Sequence, residues 1–442
     1  MTDLLQWRKN MTINYSFNRD IPVIGETDVL VIGGGPGGFS AAVMAARQGV
    51  KVMLAERSNA PGGMAYLGEI SPFMSNHIND VTLDAPLYAD WNFEMWKLKG
   101  LPEAEFSRDV VQNTPLSKEI SMLAAEKLLE NAGVETLYHH TFFDVVMEDE
   151  SIKSVIFHSK SGLCAIKAKA VVDSTGDGDV AAQAGCPFEF GNDEGFCQPM
   201  TLCFKLGNID RSRMPSREEI NRIYAEAKAA GDLDCPRENL LWFDAPSPDV
   251  IHMNTTRVVM KNATVGTELS EAEKEGRKQL REIIRFVRKY IPGCENAVIH
   301  SIASQIGVRE SRRIRGEFFQ TVEDFTGAKK YPDAIARSRY HVDIHNPTGS
   351  GTTLIRLPEN EWYELSFRAL IPQKCRNLLM GCRAVSVDHA LHSSIRIMPS
   401  VCSIGQAAGM GAAYMIQNNC QAKDIDGVEI RRRLVAAGAN LA

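Results

Sequence analysis

Six consecutive residues, Gly33-Gly34-Gly35-Pro36-Gly37-Gly38, leave this chain few ways to fold around them. They follow a short apolar run at residues 27–32, which reads as a buried parallel strand. They precede an Ala-rich stretch at 39–49 that reads as a helix ended by Gly49. A second strand is expected at 51–54, so a strand, a helix and a strand fall within about 30 residues, the size of a βαβ unit. In that setting each glycine has a task. Gly33 permits the tight turn, Gly35 lets a pyrophosphate approach the backbone, and Gly38 lets helix and strand pack closely. Pro36 and Gly37 open the helix, whose free N–H groups and positive dipole end suit a diphosphate. Glu56, 23 positions after Gly33, supplies an acceptor for a ribose hydroxyl. The expectation is a bound dinucleotide.

The residues after Glu56 indicate which dinucleotide. Arg57 to Met64 carry a second glycine pair, Gly62-Gly63, as expected where a loop passes close to an extended cofactor. The chain contains a single G-x-G-x-x-G unit, so a separate NAD(P)H domain is not expected and FAD is the favoured ligand. Further on, the pattern predicts a helix over 115–131, a strand at 134–137 and an antiparallel meander near 142–146, 153–158 and 163–168. A buried strand at 170–172 stops at Asp173-Ser174-Thr175-Gly176-Asp177, placing a small turn and a carboxylate where ligands bind in open α/β sheets.

Residues from about 190 to 370 have mixed strands and a long charged helix, expected to start at a capping box, Ser270 to Glu273. The last 70 residues return to the first texture, with a strand at 377–380 and a small-residue helix at 401–417. The fold expected is α/β: a Rossmann-like FAD-binding domain (parallel sheet with an antiparallel meander) plus an inserted α+β substrate domain. The expected boundaries are an N-terminal extension at 1–20, the FAD-binding domain at 21–190 and 371–442, and a substrate or cap domain at 191–370.

Charge and cysteines exclude several classes. A net charge of −6 gives no overall basic face, so nucleic acid and anionic membrane are not expected partners. No run approaches the roughly 18 apolar residues of a membrane span. Residues 1–20 do not read as a secretory signal. The ten cysteines form no C-x-x-C pair and no metal-ligand spacing appears, which argues against zinc or an iron–sulfur cluster and fits reduced thiols in the cytoplasm.

Residues 27–64 resemble the opening of the FAD-dependent oxidoreductase family of the glutathione-reductase-like flavoprotein superfamily, distantly related to fumarate reductase flavoprotein subunits. The segments 171–185, 306–317, 340–347 and 377–411 carry the resemblance across the chain. The resemblance implies non-covalent FAD, with Phe143, Thr175, Gly176, Asp177 and Arg383 near it. It also implies that the helix around 399–411 aims its N-terminus, with Ser403, Ile404 and Gly405, at the flavin. A positive helix end there would stabilise the anionic reduced flavin.

Candidates for substrate chemistry lie in the same segments. Arg309, Arg312, Arg313 and Arg315 fall within seven positions, and Arg309 stands out beside Gly307. His341 and His345 flank Asp343, and the strand period puts Asp343 and His345 on one face. That carboxylate would tune His345 near neutral pH as a general base or acid. His389, His392 and Arg396 form a second cluster. The activity expected is hydride transfer between flavin N5 and a polar small molecule, a carboxylate or a polyhydroxylated ring. Hydroxyl oxidation and reduction of an activated C=C fit equally, and a separate electron donor or acceptor would reset the flavin. The alternative is a flavoprotein biosynthetic factor or electron-transfer subunit without substrate turnover of its own.

Overall fold

In the computed structural model, which describes residues 20–110 and 117–441, the apolar run before the glycines becomes the middle of a seven-stranded sheet. The strand Val23–Ile32 has Val52–Ala55 parallel on one side and Gly162–Asp173 parallel on the other. Glu135–Leu137 extends the sheet beyond Val52–Ala55, and Leu378–Met380 pairs parallel with the end of Gly162–Asp173. Numbered along the chain, these five strands lie 3-2-1-4-5, the doubly wound dinucleotide-binding order. Val29, Leu30 and Val31 are consecutive and fully buried, so both faces of the sheet are covered and the strand reads as a continuous apolar run.

The meander occupies Thr141–Glu148, Ser151–Ser159 and Gly162–Asp173. Its third strand differs from the two short strands expected at 163–168 and 170–172. A single 12-residue strand pairs antiparallel with Ser151–Ser159 through its first half and parallel with Leu378–Met380 through its last residues. Lys169 interrupts the apolar pattern but not the strand, because its side chain turns outward to pair with Asp28 at 2.7 Å.

The helix Pro36–Arg47 lies against Met398–Asn418 at backbone distance. A Cβ on Gly405 would stand 2.0 Å from the Gly37 carbonyl oxygen, and one on Gly409 would stand 2.1 Å from that of Ala41. The small residues of the C-terminal helix are therefore required by packing.

A second core is built on a four-stranded antiparallel sheet in the order Trp242–Asp244, Ile251–Met253, Phe204–Gly207, Val298–Ile302. The helices Arg217–Ala229 and Gly266–Tyr290 contribute Tyr224, Ile283 and Val287 to the same buried cluster as Phe204 and Met253 of the sheet. This core draws on residues 200–308, whereas Ile314, Phe325, Tyr363 and Phe367 pack into the first core. The 191–370 stretch is thus divided between two cores. The long helix also begins a turn before its expected capping box. Ser270 lies inside it, and Glu273 instead accepts from the Ile306 N–H at 2.7 Å and pairs with Arg277 at 3.0 Å. Residues 1–19, with most of the expected N-terminal extension, and residues 115–116 of the expected helix lie outside the described residues; that helix is Lys118–Asn131.

Candidate active site

A cavity of about 630 Å³ opens at the carboxyl ends of the parallel strands, walled by both cores. The first core contributes Gly33, Gly35, Pro36, Gly37, Glu56, Arg57, Gly63 and Met64. Glu56 is 5% exposed; one oxygen accepts from the Gly34 N–H at 2.6 Å and the other from the Ser58 N–H at 2.8 Å. A carboxylate has about four acceptor positions, so Glu56 braces the loop and keeps capacity for a hydroxyl. Gly38 and Gly62 stand behind the lining. An added Cβ on Gly38 would meet the Gly33 carbonyl oxygen at 1.8 Å, and Gly62, at φ +111°, donates to Gly34 O at 2.8 Å. Gly35 differs from both. Its φ of −67° suits any residue and an added Cβ would find no atom nearer than 3.8 Å.

The turn after Gly162–Asp173 brings Thr175, Gly176 and Asp177 into the lining. Asp173 organises it from below, accepting from the Thr175 N–H and hydroxyl and from the Ala181 N–H. Burial pushes Asp173 up to about 6. Asp177 accepts from Arg383 at 2.8 Å and from the Ser311 hydroxyl at 2.6 Å, so it holds Arg383 at the cavity. Phe143, expected here, is 57% exposed; Phe142 faces the cavity instead, because neighbours on a strand point to opposite faces. Ser403, Ile404 and Gly405 do not line it either. The C-terminal helix starts at Met398, earlier than expected, so Met398 and Val401 reach the cavity and residues 403–405 sit in the second turn.

The remaining wall carries the polar side chains. Asp343 and His345 share a face of Val342–His345, with 3.5 Å between His345 Nε2 and Asp343 Oδ2. Arg396 approaches the same carboxylate at 3.7 Å, and the Tyr340 hydroxyl donates to it at 3.2 Å. Burial would raise Asp343, but His345, Arg396 and Arg309 hold it well below the usual carboxylate range. His345 is not tuned near neutrality. Burial first, then Arg309, pushes it down to about 3 against the pull of Asp343, so the ring is neutral.

Of the arginine run, Arg309 alone lines the cavity, donating to Pro199 O and Thr201 Oγ1 at 2.6 Å each. Arg312 pairs with Asp179, Arg313 with Glu310 at 2.5 Å, and Arg315 with Glu189. His389 and His392 are not brought to the cavity. His389 bonds Glu310 at 2.8 Å, and His392 is fully buried, where desolvation keeps it neutral. Glu310 also accepts from the Gln198 N–H, and Gln198 Oε1 accepts from Arg396 and from the His345 N–H, each at 3.4 Å. His389 thus braces the site through two intermediaries. Arg237 lines the cavity and escapes sequence reasoning: it lies in a polar stretch, Asp234 to Asn239, with no periodic pattern to mark it.

A model of the FAD dependent oxidoreductase family matches residues 28–434. The chain belongs to this family. The family's cofactor is FAD. Thiamine thiazole synthase of Methanococcus vannielii is 30% identical over 159 residues, 34% of this chain and 56% of that protein. Dihydrolipoyl dehydrogenase of Trypanosoma brucei brucei is 38% identical over 85 residues, 19% of this chain and 17% of that protein. The chain spans about half the length of the thiamine thiazole synthases it matches. Among solved structures, a geranylgeranyl bacteriochlorophyll reductase-like protein of Thermoplasma acidophilum is similar with a TM-score of 0.46 and 13% identity, covering 93% of this chain and 83% of that one. No described helix is long and apolar enough to cross a membrane.

The family's cofactor fits the residues present. Nothing in the protein's own packing demands a glycine at 35, and the space its side chain would take belongs to the cavity, as a pyrophosphate lying against the backbone requires. Beneath the helix that reaches this cavity, Asp84 is wholly buried, accepting from Ser403 at 2.7 Å and from Asn76 at 2.8 Å. Burial pushes its carboxyl up to about 7. A carboxyl whose folded pKa is raised contributes stability that is present below its unfolded value and is lost as pH rises through the folded one. Asp84→Asn keeps both bonds, since an amide accepts from Asn76 and donates to Ser403 Oγ, and it does not titrate. The variant's stability relative to wild type is expected to rise by about 2 kcal/mol between pH 5 and pH 7, read from melts at the two pH values. Parallel pH profiles would show that Asp84 is not raised.

Proposed function

We propose that this family member transfers a hydride between a polar small molecule and FAD, oxidising a hydroxyl or reducing an activated C=C bond. One observation carries the reading: a single cavity is walled both by the glycine loop with Glu56 and by the Asp343–His345 pair with Arg309 and Arg396. Gly33, Gly35, Pro36 and Gly37 would seat the pyrophosphate at the start of Pro36–Arg47, Glu56 would take a ribose hydroxyl, and Arg57, Gly63, Met64, Thr175, Gly176, Asp177 and Arg383 would flank the rest. Bound there, FAD supplies the two-electron acceptor or donor. Neutral His345 accepts a proton from a substrate hydroxyl, and Asp343 orients the ring and stabilises the imidazolium that forms. Arg309 and Arg396 orient the substrate against that pair. A separate electron donor or acceptor completes the cycle, in the cytoplasm. The segments 171–185, 306–317, 340–347 and 377–411 support a place in the glutathione-reductase-like superfamily, distantly tied to fumarate reductase flavoprotein subunits.

The first test is the visible spectrum of the purified protein, with the cofactor released by denaturation and identified as FAD, followed by anaerobic bleaching with candidate alcohols. His345→Ala is expected to keep its FAD and to lose about 10²-fold or more in turnover; unaltered kinetics would remove His345 from the catalytic role. A second reading is a flavoprotein biosynthetic factor, which the likeness to thiamine thiazole synthases supports, or an electron-transfer subunit. Absence of turnover with any artificial acceptor, together with a co-purifying redox partner, would favour it.

A further inference from the structure

Five arginines line the cavity: Arg57, Arg237, Arg309, Arg383 and Arg396. Their partners separate them into two kinds. Arg383 is paired with Asp177, Arg396 with Asp343, and Arg57 is hydrogen-bonded to Gln305 at the exposed rim. Arg237 and Arg309 have no carboxylate within ion-pair distance among the described residues. Arg237, 7% exposed, donates through Nε to Asn239 Oδ1 at 3.1 Å. Both bonds from Arg309 leave through Nη1 and end on neutral oxygens. These acceptors hold the two guanidinium groups in place without neutralising them.

The nearby carboxylates are already committed. Asp343 bonds His345, Tyr340 and Arg396 and acts on Arg309 only at longer range, and Glu238, which also feels Arg237, forms its ion pair with Arg257 at 3.2 Å. Arg396 Nε is itself buried with no partner. On this side of the cavity Arg237, Arg309 and Arg396 stand against two carboxylates, Glu238 and Asp343, so positive charge is in excess there. The excess is felt within it: Arg309 is pushed down to about 9, by burial first and then by Arg396 and Arg237. Buried charges are normally paired, and guanidinium forks match planar or tetrahedral oxyanions two bonds at a time.

Resting on the function proposed above, we infer that Arg237 and Arg309, with Arg396 beside them, form an oxyanion subsite, so that the substrate is a small molecule bearing a carboxylate or phosphate rather than a neutral polyol. A polyol would leave both guanidinium groups without a carboxylate at ion-pair distance and the excess of positive charge on this wall unmatched. An oxyanion compensates them and lies within reach of the wall that carries His345.

The test uses the FAD-loaded protein, so that the cofactor's own phosphates are already accommodated. Acetate and inorganic phosphate are titrated separately against chloride at matched ionic strength, and the melting midpoint is followed, since a ligand that binds only the folded form raises it. At least one of the two anions is expected to raise the midpoint beyond chloride, and which one does so tells carboxylate from phosphate. In R237Q and in R309Q the apparent affinity is expected to fall at least about tenfold, while R309K, which keeps the charge, retains part of it and shows that loss of response is not loss of fold. Wild-type protein that holds FAD yet responds to neither anion beyond chloride, or glutamine variants that respond as wild type does, would overturn the subsite. Protein that neither contains nor takes up FAD would instead sink the proposed function, and the difference between wild type and variants would still report on the subsite.

Discussion

Gly35→Leu is expected to fold as the wild type does and to purify without FAD. The backbone at this position asks nothing of a glycine: φ is −67°, and a Cβ clears every protein atom by 3.8 Å or more. The added isobutyl group points into the cavity, over the first-turn N–H groups of Pro36–Arg47 that have no partner within the helix. A diphosphate could no longer reach those donors, and FAD affinity is expected to fall by a factor of about 100 or more, the equivalent of about 3 kcal/mol. FAD released per chain, measured beside a melt of the cofactor-free wild type and variant, checks both halves. Normal FAD content would sink the assignment of the loop; a collapsed melt would show that the glycine serves the chain and not the ligand.

Gly405→Ala reverses this pattern, because there the glycine serves the chain. A methyl group would enter within 2.0 Å of the Gly37 carbonyl oxygen and 2.6 Å of its Cα. Neither helix can yield locally: Gly37 is pinned on its other side, where a Cβ would meet the Gly381 carbonyl oxygen at 1.9 Å. Overpacking against backbone on a wholly buried seam is expected to cost about 3 kcal/mol or more and to lower the melting midpoint by about 5 °C or more. FAD should be lost as well, since Met398 and Val401, one turn earlier on the same helix, line the cavity. An unchanged midpoint would mean that the two helices do not meet backbone to backbone. The pair of variants separates glycines required by a ligand from glycines required by a neighbouring helix, a distinction that G-x-G-x-x-G alone does not make.

Much of the site was legible because the chemistry is local. The glycine loop, the strand before it and Glu56 belong to one βαβ unit, so spacing along the chain is nearly distance in space. Asp343 and His345 meet because a strand repeats every two residues, and no tertiary information is needed to pair them. The same short-range reasoning fails where a neighbour in sequence is not a neighbour in space. Phe142 and Phe143 are indistinguishable as letters, and the pleat sends one to the cavity and the other to solvent. His389 and His392 precede the cavity-lining Arg396, yet Asp388 caps their helix and turns both rings toward Glu310 and the core. The protonation of His345 departs from expectation for a related reason: its sequence neighbour is a carboxylate, but its spatial neighbours include Arg309 and a dry wall.

By itself the sequence determined the parallel sheet, the nucleotide loop and FAD, because these rest on backbone geometry that few residues other than glycine permit and on hydrophobic periods that act over one strand or helix. Only the tertiary structure decided which polar side chains share the cavity. Arg237, Arg309 and Arg396 come from segments up to 159 positions apart. Their convergence depends on how the core of residues 200–308 docks on the FAD sheet, and burial there decides whether a charge is solvated, paired or left waiting for an anion.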